Sequence, residues 1–341
     1  MIQFQCDYNN GVHPLILQRL LETNDEQSVG YGLDPHCDNA RRLIREACQR
    51  PDADVHFMVG GTQTNVTVIA SILRAHQGVI CATSGHINVH ETGALEHIGY
   101  KCVTLPHDNG LISAEQIEEL VVAHRAQEDP CHCVEPAMVY ISFSSEYGTI
   151  YSKAQLTAIS EVCHRLDLPL FIDGARMGYG LTSPACDITL PELAQLADVF
   201  YLGGTKQGAM FGEAIVITSE KLKKGFRYNI KQNGGMLAKG RMLGIQFETL
   251  FTDNLYFKLA KHANDEAQRL KKGFVDRGYK LFMDSPTNQQ FVILTKAEMD
   301  RLGKDFFFEV WEPVDAEHIA VRFCTSWATK PEHVDALLAA L

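Results

Sequence analysis

The chain has 341 residues, 45% of them hydrophobic and 21% charged, and 42 acidic against 31 basic residues give a formal net charge of −11. This length suits two closely associated domains, and the composition is that of an ordinary soluble globular protein. The acidic balance argues against nucleic acid or an anionic membrane as a partner of the chain.

The cysteines and the opening residues bear on the cellular compartment. The 10 cysteines are scattered through a chain too long to be a disulfide scaffold, and the start lacks the basic and apolar regions of a signal peptide. No apolar run approaches the roughly 20 residues that a membrane helix requires. We therefore expect reduced thiols and a cytoplasmic protein.

The chain opens with an irregular polar segment that contains Cys6, followed by a short amphipathic helix predicted at 14–22. A loop that begins at Tyr31 has the glycine and proline of an ordinary turn. It leads into a helix predicted at 37–49.

A glycine-rich turn, 60–63, lies between a strand predicted at 55–59 and a helix predicted at 64–75. Glycines at this position let backbone N–H groups face an anion, and the helix dipole adds to the attraction. The turn therefore predicts a phosphate site at Gly61 and Thr62. Its spacing is neither that of a P-loop nor that of a dinucleotide fingerprint.

His86 and His90 lie one helical turn apart after a strand predicted at 78–83, a spacing that can chelate zinc. The H-E-x-x-H order is missing and no third ligand is identifiable. The cysteines and histidine of 131–133 stand alone in a polar loop. We therefore expect no metal site.

Helices predicted at 114–125 and 153–166 flank a strand at 138–143 and continue the alternation typical of a parallel sheet. Two further buried strands, 168–172 and 199–202, each end in a short polar turn. The first turn is Asp-Gly-Ala-Arg and the second is Gly-Gly-Thr-Lys. In open α/β sheets ligands bind at this rim.

A carboxylate and a lysine at one rim suit pyridoxal phosphate, whose aldehyde is bound covalently by a lysine amine. Lys206 is the candidate amine, and Asp173 can keep the ring nitrogen protonated. The small Ala175 lets a flat ring approach, and Arg176 offers a planar fork for a substrate carboxylate. The alternative is that both turns only end their strands and that Asp173 pairs with Arg176.

Beyond Lys206, 212–218 is predicted to return along the sheet, and an amphipathic stretch at 240–277 joins a smaller domain. That domain has predicted strands at 280–283, 290–294 and 319–324 and a final helix at 331–341. Arg322 lies within an apolar strand, where a charge is costly unless an anion pairs with it. We place the domains at residues 1–245 and 246–341.

Four segments resemble the threonine aldolase/aromatic amino acid β-eliminating lyase family, in the family's order and with similarity over nearly the whole chain. They are Phe57–Asn65, Gly85–Gly93, Phe171–Arg176 and Thr205–Lys206. The resemblance implies the aminotransferase-like fold: an α/β large domain with a mostly parallel sheet flanked by helices, plus a smaller C-terminal α/β domain.

The resemblance also implies roles for single residues. Thr205 and Lys206 hold the cofactor, and His86 stacks on its ring and takes part in proton transfer. Arg322 clamps the substrate carboxylate. Tyr31 and the region of Lys231 belong to an active site shared between subunits, so a homodimer or homotetramer is expected. The arginine that the family has in this region is Leu237 here. Either Lys231 or Lys239 replaces it, or these lysines form a solvated basic face.

This sequence also departs from the family at two contacts with the substrate. Cys6 stands where the family has a serine that contacts the substrate carboxylate, and a thiol is the weaker donor. Threonine aldolases carry a second histidine after the strand at 138–143. Here either Tyr147 or Glu146 replaces it, or the segment is only a turn.

The resulting hypothesis is a pyridoxal-phosphate-dependent lyase that acts on an amino acid. Aldol cleavage of threonine or allo-threonine to glycine and an aldehyde is favoured over β-elimination. A protein of another class, a non-catalytic module that keeps the fold and an anion pocket, is the remaining alternative.

Overall fold

The computed structural model describes the whole chain, residues 1–341. Its strands are β1 Ile2–Gln3, β2 Asp54–Met58, β3 Gln77–Ala82, β4 Lys101–Leu105, β5 Glu135–Ser142, β6 Leu170–Asp173, β7 Val199–Gly203, β8 Glu213–Ile217, β9 Leu281–Met283, β10 Gln289–Thr295, β11 Phe306–Phe307, β12 Glu309–Pro313 and β13 His318–Cys324. Its α-helices are α1 Pro14–Glu22, α2 Pro35–Cys48, α3 Gly61–Ile72, α4 His86–Val89, α5 Ala94–His97, α6 Ala114–Arg125, α7 Lys153–Arg165, α8 Met177–Leu181, α9 Leu190–Leu196, α10 Glu220–Lys223, α11 Phe226–Gln232, α12 Arg241–Phe251, α13 Leu255–Asp276, α14 Lys296–Leu302 and α15 Pro331–Ala340.

A seven-stranded sheet in the order β2-β8-β7-β6-β5-β3-β4 forms the centre of the large domain. Strands β4, β3, β5, β6 and β7 run parallel, while β8 is antiparallel to both of its neighbours. The predicted mostly parallel sheet and its returning strand are thus confirmed. Parallel order brings the carboxyl ends of β5, β6 and β7 to one edge, where the site is built.

Helices cover both faces of this sheet. Along β7, Phe200 and Leu202 belong to one apolar cluster and Val199 and Tyr201 to another, because successive side chains of a strand point to opposite faces. Helices α2 and α7 contribute to the first cluster, and α3 and α11 to the second. Burial on both faces explains why these strands are continuous apolar runs in the sequence.

A four-stranded antiparallel sheet in the order β12-β13-β10-β9 forms the smaller C-terminal unit. The first strand of the chain joins it, since Ile2 pairs in parallel with Phe306 and Phe4 packs in its core. The N-terminal arm is therefore fixed to the C-terminal unit. The predicted boundary between 245 and 246 falls inside α12, and it stays a prediction.

The predicted amphipathic stretch at 240–277 is two helices rather than one. Asp253 and Asn254 have φ of 52° and 57°, a left-handed conformation that a helix cannot continue through. Helices α1 and α6 have the predicted bounds. Strand β12 was not predicted, because it lies at the edge of its sheet and its sequence, Glu-Val-Trp-Glu-Pro, has only two adjacent apolar residues between charged ones. No helix of the protein combines the length and the apolar character needed to cross a membrane.

Candidate active site

A cavity of about 340 Å³ opens at the carboxyl edge of the central sheet. Most of the residues predicted to bind cofactor or substrate line it: Gly61, Thr62, His86, Asp173, Ala175, Arg176, Thr205 and Lys206. They come from the ends of β6 and β7, the start of α3 and the short helix α4. The structure therefore brings these segments together, and the roles of the residues stay predictions.

Lys206 follows β7 and is half-buried, and its Nζ makes no hydrogen bond or ion pair within the chain. Burial and then the neighbouring charge of Arg176 lower the pKa of this amine, against the opposing effect of nearby carboxylates. A lysine with a lowered pKa offers its neutral, nucleophilic form nearer to neutral pH. The side chain is thus suited to covalent chemistry.

Asp173 is buried at the end of β6 and accepts four hydrogen bonds. The Tyr201 hydroxyl (2.5 Å) and the backbone N–H of Ala175 (2.9 Å) donate to Oδ1. The Tyr140 hydroxyl (2.6 Å) and the Asn65 amide (3.1 Å) donate to Oδ2. Burial alone raises the pKa of Asp173, but His86 and the hydroxyl donors outweigh burial and hold it below its usual value.

The four donors define how this carboxylate fits a pyridine ring. An N–H from the ring has to replace one of them, because two oxygens offer about four acceptor positions. Tyr201 lines the cavity, whereas Tyr140 and Asn65 do not. Ala175 also lines the cavity, but it donates through its backbone N–H, which is fixed in the turn after β6. The Tyr201 hydroxyl is therefore the donor that a ring N–H would displace. Asp173 is thus a charged acceptor, and one of its present donors, Tyr201, is accessible from the cavity. This arrangement fits a protonated ring nitrogen.

His86 belongs to a hydrogen-bonded chain of buried polar groups. Its Nδ1 lies 2.8 Å from Oε1 of Glu91, and the Asn65 amide donates to the same oxygen at 2.8 Å. Since Asn65 also contacts Asp173, the imidazole and the Asp173 carboxylate are held in one network. Glu91 fixes the ring orientation and leaves Nε2 without a partner in the chain.

The glycine-rich turn lies at the start of α3, where Gly60 is the N-cap and no side chain caps the helix. Gly61 and Thr62 line the cavity, so the uncapped N–H groups of the first turn are directed into it. Helix dipole and free donors attract an anion. The turn thus fits the phosphate of the cofactor, as the sequence predicts.

Most of the Arg176 guanidinium is already hydrogen-bonded to Asp7. Its Nε and Nη2 donate to the two carboxylate oxygens of Asp7 at 2.7 and 3.1 Å, which leaves Nη1 without a partner. Burial raises the pKa of Asp7, but the charges of Arg176 and Lys206 outweigh burial and lower it to about 2. The full fork predicted for a substrate carboxylate is not free, and only Nη1 remains for it.

Cys6, next to Asp7, points away from the cavity. Its thiol donates to Oδ1 of Asn9 at 2.8 Å, and Tyr8 lines the cavity instead. A substrate contact by Cys6 stays a prediction that this arrangement does not support.

Arg322 also lies outside the cavity. It forms an ion pair with Glu309, donates to Gln289 at 2.8 Å and lies 5.3 Å from the ring centroid of Trp311. The buried charge predicted to need an anion thus has one within the chain. Its role as the substrate clamp stays a prediction, since it requires Arg322 to leave Glu309.

Tyr31 and Lys231 meet each other but not the cavity of their own chain. The Lys231 Nζ lies 5.0 Å from the Tyr31 ring centroid, and both line a separate surface depression of about 460 Å³. Within one protomer they contact neither Lys206 nor Asp173. Roles for both at an active site require a second subunit.

Glu213 and Glu146 complete the ionisable groups of the cavity. Glu213 accepts from the Thr205 hydroxyl at 2.8 Å and from Gly204 N at 3.1 Å, and burial raises its pKa to about 8. Glu146 accepts from Ser142 Oγ at 2.8 Å and from His86 N at 3.1 Å. Burial raises its pKa as well. Of the two residues considered for the missing histidine, Glu146 lines this cavity and Tyr147 does not.

Sequence analysis missed Glu213, Glu91 and Tyr201. Glu213 opens an apolar strand and Tyr201 lies inside one, so neither stands out as a functional residue. Glu91 was assigned no role. Its spacing of five residues after His86 was the available indication, because α4 and the turn after it bring the two side chains together.

Comparisons with known proteins agree with this geometry. A family model described as beta-eliminating lyase matches residues 14–297. The low specificity L-threonine aldolase of Pseudomonas sp. (strain NCIMB 10558) is 30% identical over 345 aligned positions, which cover 99% of this chain and 96% of that protein.

Two solved structures show the same architecture. The threonine aldolase of Leishmania major superposes with a TM-score of 0.96 at 44% identity, covering 99% of this chain and 98% of that one. The serine palmitoyltransferase of Sphingomonas wittichii superposes with a TM-score of 0.72 at 15% identity, covering 99% and 86%. The second likeness concerns the fold alone.

Proposed function

Because the chain belongs to the β-eliminating lyase family, we propose that it is a pyridoxal-phosphate-dependent lyase that cleaves threonine or allo-threonine to glycine and acetaldehyde. The convergence of Lys206, Asp173 and His86 in one cavity carries the proposal. The full-length similarity to threonine aldolases favours aldol cleavage among the reactions of the family.

Each part of the cavity suits one part of the cofactor. The Lys206 amine would bind the aldehyde, Asp173 would hold the ring nitrogen, and the first turn of α3 would hold the phosphate. His86 lines the same cavity and would contact the ring. When bound, pyridoxal phosphate withdraws electrons from the Cα of the amino acid.

Aldol cleavage needs a base for the β-hydroxyl proton, because the Cα–Cβ bond breaks as that proton leaves. His86 and Glu146 are the two ionisable groups placed for this task. The raised pKa of the Glu146 carboxyl brings it nearer to the range in which a carboxylate accepts a proton efficiently. We assign the β-hydroxyl proton to His86 and Glu146 together. The two residues are linked because the backbone N–H of His86 donates to the Glu146 carboxylate.

β-Elimination is the second candidate, and one observation favours it. Lys206 Nζ has no partner in the chain and is available to remove the α-proton instead. Elimination from serine or cysteine gives pyruvate and ammonia, whereas aldol cleavage gives glycine and an aldehyde.

The experiment uses the purified protein with pyridoxal phosphate and measures four products, namely glycine, acetaldehyde, pyruvate and ammonia. Threonine or allo-threonine is expected to yield glycine and acetaldehyde in equal amounts. Pyruvate and ammonia from serine, without glycine from either threonine, would overturn the proposal in favour of elimination.

We also propose a homodimer or homotetramer with shared active sites. Tyr31 and Lys231 lie on an exposed face with Tyr228, which is 83% exposed, so a partner subunit is needed for them to meet a cofactor. Mixing Lys206→Ala with Lys231→Ala subunits is expected to restore part of the activity, because hybrid assemblies contain one intact site. If the subunits exchange into mixed assemblies and no activity is restored, the result contradicts a shared site.

A further inference from the structure

A second cavity, of about 400 Å³, adjoins the first and shares Glu146 with it. Its walls come from both units of the protein: His90, His107 and Tyr147 of the large domain, and Glu309, Trp311 and Glu312 of β12. His86 lines the first cavity and His90 the second, and their ring centroids lie 5.5 Å apart. Because the two cavities share Glu146, a long substituent on the Cβ of an amino acid in the first cavity would lie next to the second.

Aromatic rings form one corner of the second cavity. The Tyr147 and Trp311 rings meet edge to face, with centroids 5.5 Å apart and planes at 77°. The His107 ring lies 5.3 Å from Tyr147. The faces of tyrosine and tryptophan rings attract cations, and paired rings at an angle are the usual arrangement for binding an ammonium group.

The charges around this cavity are predominantly negative. Glu312 makes no hydrogen bond or ion pair within the chain, and Oε2 of the buried Glu146 has no partner either. Glu309 is the one carboxylate that is compensated, by Arg322. No lysine or arginine lines the cavity, so two carboxylates face it without a counter-charge.

The charges of Glu312 and Glu146, the two uncompensated carboxylates, both affect the Tyr147 hydroxyl. Burial, then the charge of Glu312 and then that of Glu146 raise the pKa of the Tyr147 hydroxyl. Burial followed by the charges of His86 and Arg322 lowers the pKa of His90, so this imidazole is neutral near pH 7 and supplies no counter-charge. The aromatic corner therefore lies in a negative field. Its one cation is Arg322, which lies 5.3 Å from the Trp311 ring centroid and is paired with Glu309, so the Tyr147 ring has none.

We infer that the second cavity binds the Cβ substituent of the substrate and selects β-hydroxy amino acids whose side chains end in an amine or guanidine group. The inference rests on the proposed aldol cleavage and names its substrate class. The Cα–Cβ bond breaks, the hydroxyl proton passes to the base and Cα takes up a proton. The products are glycine and an aldehyde that carries the positive charge.

The test compares two substrates that differ in the terminal amine alone, β-hydroxylysine and β-hydroxynorleucine, with the holoenzyme. We expect kcat/KM to favour the cationic substrate by about tenfold, which corresponds to about 1.4 kcal/mol. Glu312→Gln is expected to reduce this ratio severalfold. Glu332→Gln removes the same charge from the exposed start of α15 and is the matched control, with an unchanged ratio.

A ratio of one or less for the wild-type enzyme overturns the inference, and so does a ratio that Glu312→Gln leaves unchanged. If no β-hydroxy amino acid, threonine included, releases glycine, the proposed function fails instead. In that case a binding measurement tests the inference separately.

For that measurement Trp327→Phe leaves Trp311 as the single tryptophan, since the chain has 2. We expect n-butylammonium, but not butan-1-ol, to change its fluorescence saturably, and Glu312→Gln to weaken the change. Equal responses to the two probes, or none, overturn the inference.

Discussion

Nδ1 of His86 lies 2.8 Å from Oε1 of the buried Glu91, which also accepts a hydrogen bond from Asn65 at 2.8 Å. This contact fixes which nitrogen of the imidazole faces the protein and which faces the cavity. Because Asn65 also donates to Asp173 at 3.1 Å, the group proposed to handle protons and the group proposed to hold the cofactor ring are positioned together. Glu91 is therefore a positioning residue for His86.

Glu91→Gln keeps the shape of this side chain but replaces the carboxylate beside Nδ1 of His86 with a neutral amide. We expect kcat for glycine release to fall by about tenfold, a part of what general acid–base catalysis supplies. KM and the visible absorbance of the bound cofactor should change little. Glu96→Gln, at an exposed position on α5, is the control and should keep the wild-type kcat. A pH–rate profile identical in Glu91→Gln and wild type contradicts the positioning role.

Lys206→Ala is expected to abolish covalent attachment of pyridoxal phosphate, because no other lysine lines the cavity. Borohydride makes the bond between lysine and cofactor permanent, and peptide mapping then locates it. In the wild type the label should be on Lys206. Label on any other lysine would refute the assignment.

The sequence predicted the parts of the site that follow strand ends. Asp173 and Lys206 each come after a continuous apolar run, and parallel strands bring such ends together, so their proximity follows from the pattern alone. The glycine-rich turn at Gly61 was predictable for the same reason. These features depend on local sequence and on the direction of the strands.

The partners of the charged residues were not predictable in this way. Arg176 with Asp7 and Arg322 with Glu309 pair across 169 and 13 positions of the chain, and nothing local to an arginine indicates which anion it meets. A buried arginine predicts some anion, and the sequence alone left open whether substrate or protein supplies it. In both cases the protein supplies one.

Asp173→Asn is expected to retain cofactor binding in part and to lose most of the turnover, because an amide cannot hold the ring nitrogen as a charged pair. Tyr201→Phe removes the donor that the ring has to displace, so we expect the cofactor to bind as well as in the wild type or more tightly. Equilibrium titration of the apoprotein measures both effects. A kcat near wild type in Asp173→Asn would show that another group stabilises the ring.

Arg322→Gln tests whether this arginine leaves Glu309 to bind substrate. If it does, KM should rise and kcat/KM should fall by about tenfold or more, since a charge-assisted hydrogen bond contributes about 1.5–3 kcal/mol. Glu309→Gln frees the guanidinium and should lower KM. If instead both variants lose thermal stability and neither changes KM, the ion pair is structural and the unpaired Nη1 of Arg176 becomes the candidate clamp.

Glu213→Gln gives a test in which pH is the variable. Burial raises the pKa of Glu213 from 4.5 to about 8, so between these values the folded protein holds a proton that the unfolded chain has released. The contribution of Glu213 to stability is therefore present below about pH 4.5 and is lost as pH rises to about 8, with a slope of at most about 1.4 kcal/mol per pH unit.

The variant cannot lose a proton at this position. The free energy of unfolding of the variant minus that of the wild type should therefore increase from pH 5 to pH 8 and stay constant above pH 8. Urea unfolding of the apoprotein at each pH measures the difference. Glu161→Gln, at an exposed position on α7, should give a difference from the wild type that does not vary with pH. The same constancy in Glu213→Gln would mean that Glu213 is ionised in the folded protein at neutral pH, as a partner of the Lys206 ammonium.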